Sequence, residues 1–106
     1  MKLVIIESPY AGDIEANVAY ARRAMRDSLD RGEAPYASHL LYTQPGVLRD
    51  AVQEERNRGM ACGYNWMAKA DLVAFYIDRG WSPGMKKAEE YAVHLDIPVQ
   101  VRELDK

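Results

Sequence analysis

Apolar positions along this chain fall into short blocks that alternate between continuous runs and helical spacing. Leu3–Ile6 is an unbroken aliphatic run, the pattern of a central strand buried on both faces. It stops at ESPYAGD, where Pro9 and Gly12 break the pattern. Asp13 then reads as a helix N-cap, with Glu15 well placed in the first turn. Ile14, Val18, Ala21, Met25 and Leu29 follow as one apolar stripe, and Gly32 closes the helix as a C-cap. APYASHLL, residues 34–41, is a short strand candidate. After TQPG a second helix is predicted over Leu48–Lys69, with Leu48, Ala51, Val52, Gly59, Cys62, Gly63, Trp66 and Ala70 turned inward. Gly59 and Gly63 each cost about 1 kcal/mol in a helix relative to alanine. Their spacing reads as room for a closely packed neighbour.

Ala70–Ile77 is the strongest strand after the first. A third helix is predicted over Pro83–Leu95, with proline in its first turn and Met85, Ala88, Ala92 and Leu95 as its buried stripe. IPVQVREL supplies the last strand. The order β-α-β-α-β-α-β predicts one α/β domain over residues 1–106: a three-layer α/β/α fold around a four-stranded parallel Rossmann-like sheet in the flavodoxin-like order 2-1-3-4.

A net charge of −2 argues against a nucleic-acid partner, and no apolar run approaches a membrane span. The N-terminal run is too short for a signal peptide, and the lone Cys62 fits a cytoplasmic setting. In open parallel sheets, ligands bind beyond the carboxyl ends of the strands, where strand order reverses. That rule gathers three loops: ESPYAGD, SHLLYTQPG and DRGWSPG. Ser82 can cap the third helix, and Gly84 lets free backbone N–H groups approach an anion such as phosphate. Equally, Ser82 can cap its own helix and bind nothing. Glu7 is a hydroxyl acceptor or general acid/base at the same edge, or a partner for neighbouring N–H groups. Tyr10 stacks on a ligand or covers the core. His39 is the better ligand contact of the two histidines, because His94 near a helix end suits a structural role. Neither G-x-G-x-x-G nor a P-loop is present, no His/Cys/Asp spacing resembles a metal site, and no cofactor is expected. No serine or cysteine has a convincing base beside it. EERNR, Glu54–Arg58, reads as a solvated helix face.

SPYAGD before a helix, SHLLYTQPGVL, ADLVAFYIDRG, SPGM opening a helix and IPV opening the last strand occur in an order that resembles the nucleoside 2-deoxyribosyltransferase-like superfamily over nearly the whole chain. The closest likeness is to the deoxynucleoside 5′-monophosphate N-glycosidase branch and to small phage-type members. The resemblance implies ligand contacts from Ser8, Pro9, Tyr10, Gly12, His39, Asp78, Ser82, Gly84 and Met85, with the 5′-phosphate held at Ser82 and Gly84. It also implies a catalytic glutamate in the first turns of the last helix, but Ala88 stands at that position. Glu7 and Glu89 are the candidate replacements. The resulting expectation is a protein that binds a nucleotide or an ADP-ribose-like metabolite, in one version a phage-type sponge for a nucleotide immune signal. The alternatives are a nucleotide N-glycosidase or deoxyribosyltransferase with an unusual carboxylate, and a structural subunit with a vestigial pocket. A homodimer or larger homo-oligomer packed through the second helix is expected, with a small molecule as partner and neither nucleic acid nor membrane.

Overall fold

The computed structural model describes residues 1–105. Its elements are β1 (Leu3–Glu7), α1 (Ile14–Asp30), β2 (Ala34–Tyr36), α2 (Ser38–Leu41), α3 (Gln53–Met67), β3 (Leu72–Tyr76), α4 (Pro83–His94) and β4 (Val99–Arg102). The four strands form one parallel sheet in the order β2-β1-β3-β4. The fold is the three-layer Rossmann-like arrangement that the hydrophobic pattern predicts. No helix among the described residues is long and apolar enough to cross a membrane.

The two central strands explain the layering. Both are buried on both faces, and successive side chains point to opposite sides. Val4, Ile6, Leu72, Ala74 and Tyr76 meet Tyr20 and Ala24 of α1 on one side. Ile5, Val73 and Phe75 meet Met67 of α3 and Met85, Ala88 and Ala92 of α4 on the other. Each large aliphatic side chain sealed in this way contributes about 1.5–3 kcal/mol.

Three elements depart from the pattern. First, α1 buries Asn17, Tyr20, Ala21, Ala24 and Ser28, while Ile14 and Leu29 are 45% and 54% exposed. The helix is rotated by roughly a quarter turn from the aliphatic stripe. Tertiary hydrogen bonds hold it there. Asn17 Nδ2 donates to the carbonyls of Tyr10 and Ala11 at 3.0 and 3.1 Å, and Ser28 Oγ donates to Glu33 at 2.7 Å. Second, the strand candidate over 34–41 keeps only Ala34–Tyr36 as strand, because the amides of Leu40 and Leu41 turn back onto the Ala37 carbonyl and form α2. Third, α3 begins at Gln53, not Leu48. The preceding residues are held as a loop, with Leu48 N donating to the Tyr42 carbonyl and Arg49 N to the Glu55 carboxylate. Of the predicted inner face of this helix only Gly63 is buried. Met67 joins it, and Trp66 is 53% exposed. The reason is visible at Gly63: a Cβ there would lie 3.0 Å from Ser38 Oγ and 3.2 Å from Ser38 Cβ. A bare backbone lets α3 close against α2.

A polar cluster ties the far end of α1 to the sheet. The Arg102 guanidinium makes two parallel bonds to Glu33, at 2.9 and 2.8 Å, and a third to the Tyr76 hydroxyl at 2.9 Å. Tyr76 in turn donates to Asp27 at 2.7 Å.

Candidate functional site

The sheet reverses its strand order between β1 and β3. A cavity of about 270 Å³ opens close to that point, beyond the carboxyl end of β1. Glu7 and Ser8 come to it directly from the end of β1. α2 contributes His39. α3 contributes one helical face, with Arg56, Met60, Gly63, Tyr64 and Met67 recurring at spacings of three and four. The start of α4 completes the cavity with Ser82, Gly84 and Met85. Two aromatic stacks brace these walls: Tyr64 against Tyr91 at 4.8 Å joins α3 to α4, and Trp81 against Phe75 at 5.0 Å fixes the loop before α4.

At the α4 start, Ser82 Oγ accepts from Met85 N at 3.1 Å and its carbonyl accepts from Lys86 N at 3.2 Å. Pro83 has no N–H. The Gly84 N–H makes no hydrogen bond with any described residue. A Cβ at Gly84 would find nothing nearer than Ser82 Oγ at 3.8 Å. Ser82 therefore does cap its own helix, and the capped turn still offers a free backbone donor to the cavity, at the positive end of the helix.

Glu7 sits beneath. Burial raises its carboxyl from 4.5 to about 8, so the group is mostly protonated at neutral pH. No hydrogen bond or ion pair from a described residue reaches it. Burial and the nearby Glu7 charge both push the Tyr64 phenol upward. His39 Nε2 lies 2.7 Å from Ser8 Oγ, and burial lowers the imidazole to about 4, so it is neutral at pH 7. A serine therefore does have an imidazole beside it, which the sequence reading had not expected. The pairing depends on α2, whose four residues carry a strand-like sequence.

Glu7, Ser8, Tyr10, His39, Ser82, Gly84 and Met85 all line this cavity. The other sequence candidates do not. Pro9 is buried beside it in the loop after β1. Gly12 is exposed and serves a turn, with φ +99°. Asp78 faces elsewhere: Tyr20 OH and the N–H groups of Leu104 and Asp105 donate to its carboxylate. Burial works to raise its pKa, but these bonds outweigh burial and hold it at about 2. Asp78 is a clamp on the chain after β4. Glu89 lies on α4 away from the cavity lining. Its neighbour Ala88 is 1% exposed and packs on the sheet with Ile5 and Phe75. Arg56 is among the lining residues that the sequence candidates leave out, because EERNR looks like an ordinary solvated face.

Fold and site together define a three-layer α/β domain with a ligand-sized cavity near the switch point of its sheet. The chain belongs to the family described as Domain of unknown function (DUF7768), which it matches over residues 2–102, a span that holds every strand and the whole cavity lining. No curated protein matches the chain.

Proposed function

We propose that the cavity binds a nucleotide or a nucleotide-derived metabolite of ADP-ribose type. The phosphate rests on the α4 start, the sugar lies over Glu7, and the base lies against the apolar wall of Met60, Tyr64 and Tyr10. One observation carries this reading: Gly84, whose N–H makes no hydrogen bond with a described residue, and Glu7, whose carboxyl makes none either, line the same cavity. A free donor at a helix start suits an anion. A buried carboxyl without a partner suits a sugar hydroxyl. The resemblance to the nucleoside 2-deoxyribosyltransferase-like superfamily supports the same placement, and Ala88 in place of the usual glutamate favours holding over cleavage. In that form the protein sequesters its ligand intact, as a sponge does. The test is a thermal-shift panel of deoxynucleoside 5′-monophosphates and ADP-ribose, with chromatography of the mixtures. A raised melting temperature with intact nucleotide is expected. No shift with any of them overturns the reading.

Glu7 itself favours a second reading, an N-glycosidase. As a neutral acid it gives its proton to the leaving base while the C1′–N bond breaks; water then adds to C1′ and gives a proton back to the Glu7 carboxylate, which restores the acid. Release of free base that Glu7→Gln abolishes would establish this reading over simple binding. Glu89 has no place in it, because it does not line the cavity. We also propose self-association through α3, on which Trp66 stands half exposed. A monomeric mass by light scattering at micromolar concentration overturns that.

A further inference from the structure

We propose that Arg56 is the charged anchor of the cavity and selects phosphorylated over unphosphorylated nucleosides; the inference rests on the nucleotide reading above. The α4 start brings donors to an anion but no full charge. Among the described residues lining the cavity, Arg56 is the single lysine or arginine. Its guanidinium makes no hydrogen bond with any described residue. The nearest acid, Asp50, stands 3.9 Å from Nε, too far for a hydrogen bond, and the Arg56 side chain is 46% exposed. Glu55, the adjacent acid, is already committed to Arg49, accepting from its backbone N at 3.0 Å, its Nε at 2.8 Å and its terminal nitrogen at 2.7 Å. Arg56 therefore keeps its hydrogen-bond donors free, with Asp50 as a loose ion-pair partner.

The position of Arg56 on α3 points the same way. It stands about one turn into the helix, whose positive end disfavours a cation and suits Glu54 and Glu55. Within the described residues only the long ion pair to Asp50 at 3.9 Å offsets that placement. Gly59, one turn further along the same face, has no side chain to screen the guanidinium from the cavity. A planar guanidinium can grip two phosphate oxygens at once, which an ammonium cannot. The ligand class that follows is a nucleoside bearing a phosphate dianion, held from the α4 side by neutral donors and from the α3 side by Arg56.

The experiment titrates the common deoxynucleosides and their 5′-monophosphates into wild type, Arg56→Gln and Arg56→Lys by calorimetry, at low and high sodium chloride. The apo melting temperatures of the variants are expected to stay close to wild type, because the half-exposed side chain makes no hydrogen bond and only one long ion pair. Wild type should hold the monophosphate more tightly than the nucleoside. Arg56→Gln should weaken the monophosphate about 10-fold or more, leave the nucleoside unchanged and remove the salt dependence, with Arg56→Lys in between. Equal affinities of wild type and Arg56→Gln for the monophosphate overturn the inference and leave the nucleotide reading standing. An equal loss for nucleoside and monophosphate also overturns it, since Arg56 then acts by packing. If wild type binds none of these compounds the inference fails, and if ADP-ribose does not bind either, the nucleotide reading fails with it.

Discussion

Replacing Glu7 by glutamine keeps the shape of the side chain and removes its ability to ionise, so it isolates the effect of burying that carboxyl. The folded protein holds Glu7 at about 8, against 4.5 for a free glutamate. An acid whose folded pKa is raised binds its proton more tightly in the folded state. Stability is then full below pH 4.5 and declines as pH rises toward 8, because the unfolded chain ionises freely over that window. At 1.36 kcal/mol per unit, the whole shift corresponds to roughly 4–5 kcal/mol. Glu7 lines an open cavity and is not fully buried, and discounting for screening leaves about 2 kcal/mol. Glu7→Gln should therefore match wild type at pH 4.5 and exceed it by about 2 kcal/mol at pH 8.5, or by roughly 8 °C in melting temperature for a domain of this size. His39 titrates in the opposite sense: its neutral form is favoured by burial, so its contribution is full above pH 6.5 and lost as pH falls toward 4. That contribution is common to both proteins and cancels in the difference. Urea unfolding of the two proteins across this pH range measures the gap directly. If the gap is the same at pH 8.5 as at pH 4.5, or reversed, Glu7 is not held neutral in the cavity.

Other substitutions probe the walls and the opposite face. Gly84→Ala should leave stability unchanged or raise it by about 0.5 kcal/mol, since a Cβ there meets nothing closer than 3.8 Å, while weakening nucleotide binding in the thermal-shift assay. Gly63→Ala forces a methyl to within 3.0 Å of Ser38 Oγ and should cost about 1–2 kcal/mol by urea unfolding, the strain exceeding the gain in helix propensity. Arg102→Met leaves Glu33 buried without its partner and should cost about 3–5 kcal/mol, with the double variant Arg102→Met/Glu33→Gln recovering part of the loss.

The sequence reveals those parts of the fold whose hydrophobic pattern is decided by burial alone. β1 and β3 are apolar on both faces, so their runs are unmistakable. Ser82-Pro83 announces the α4 start, because the cap and the proline act locally. α1 misleads, because its inner face is chosen by Asn17, Tyr20 and Ser28, polar residues whose partners lie up to 62 positions away. α2 misleads for the opposite reason: its helix is fixed by turns onto Ala37 and by the close pass of Gly63, neither of which SHLL can signal. The Ser8–His39 pair follows from that small helix, and so it was hidden with it. Arg56 was legible as a helix-surface residue. That the surface borders a cavity is a tertiary fact.

The two faces of the sheet treat polar groups differently, and this contrast locates the site. Under α1, Asn17 bonds Arg79 and the Tyr10 and Ala11 carbonyls, Tyr20 bonds Asp78, and Arg102 bonds Glu33. Their chemistry is used up in holding the fold. In the cavity, the Glu7 carboxyl, the Gly84 N–H and the Arg56 guanidinium make no hydrogen bond with a described residue, and Arg56 has only a long ion pair to Asp50 at 3.9 Å. None of the fully sealed side-chain nitrogen or oxygen atoms among the described residues lacks a hydrogen bond. The unpaired side-chain groups therefore remain reachable from solvent instead of being stranded. A carboxyl shifted by burial, lining one cavity with a loosely paired cation and a helix start whose N–H is unbonded, adds little to the stability of the domain. Its complement is a ligand with a hydroxyl-bearing middle and an anionic end.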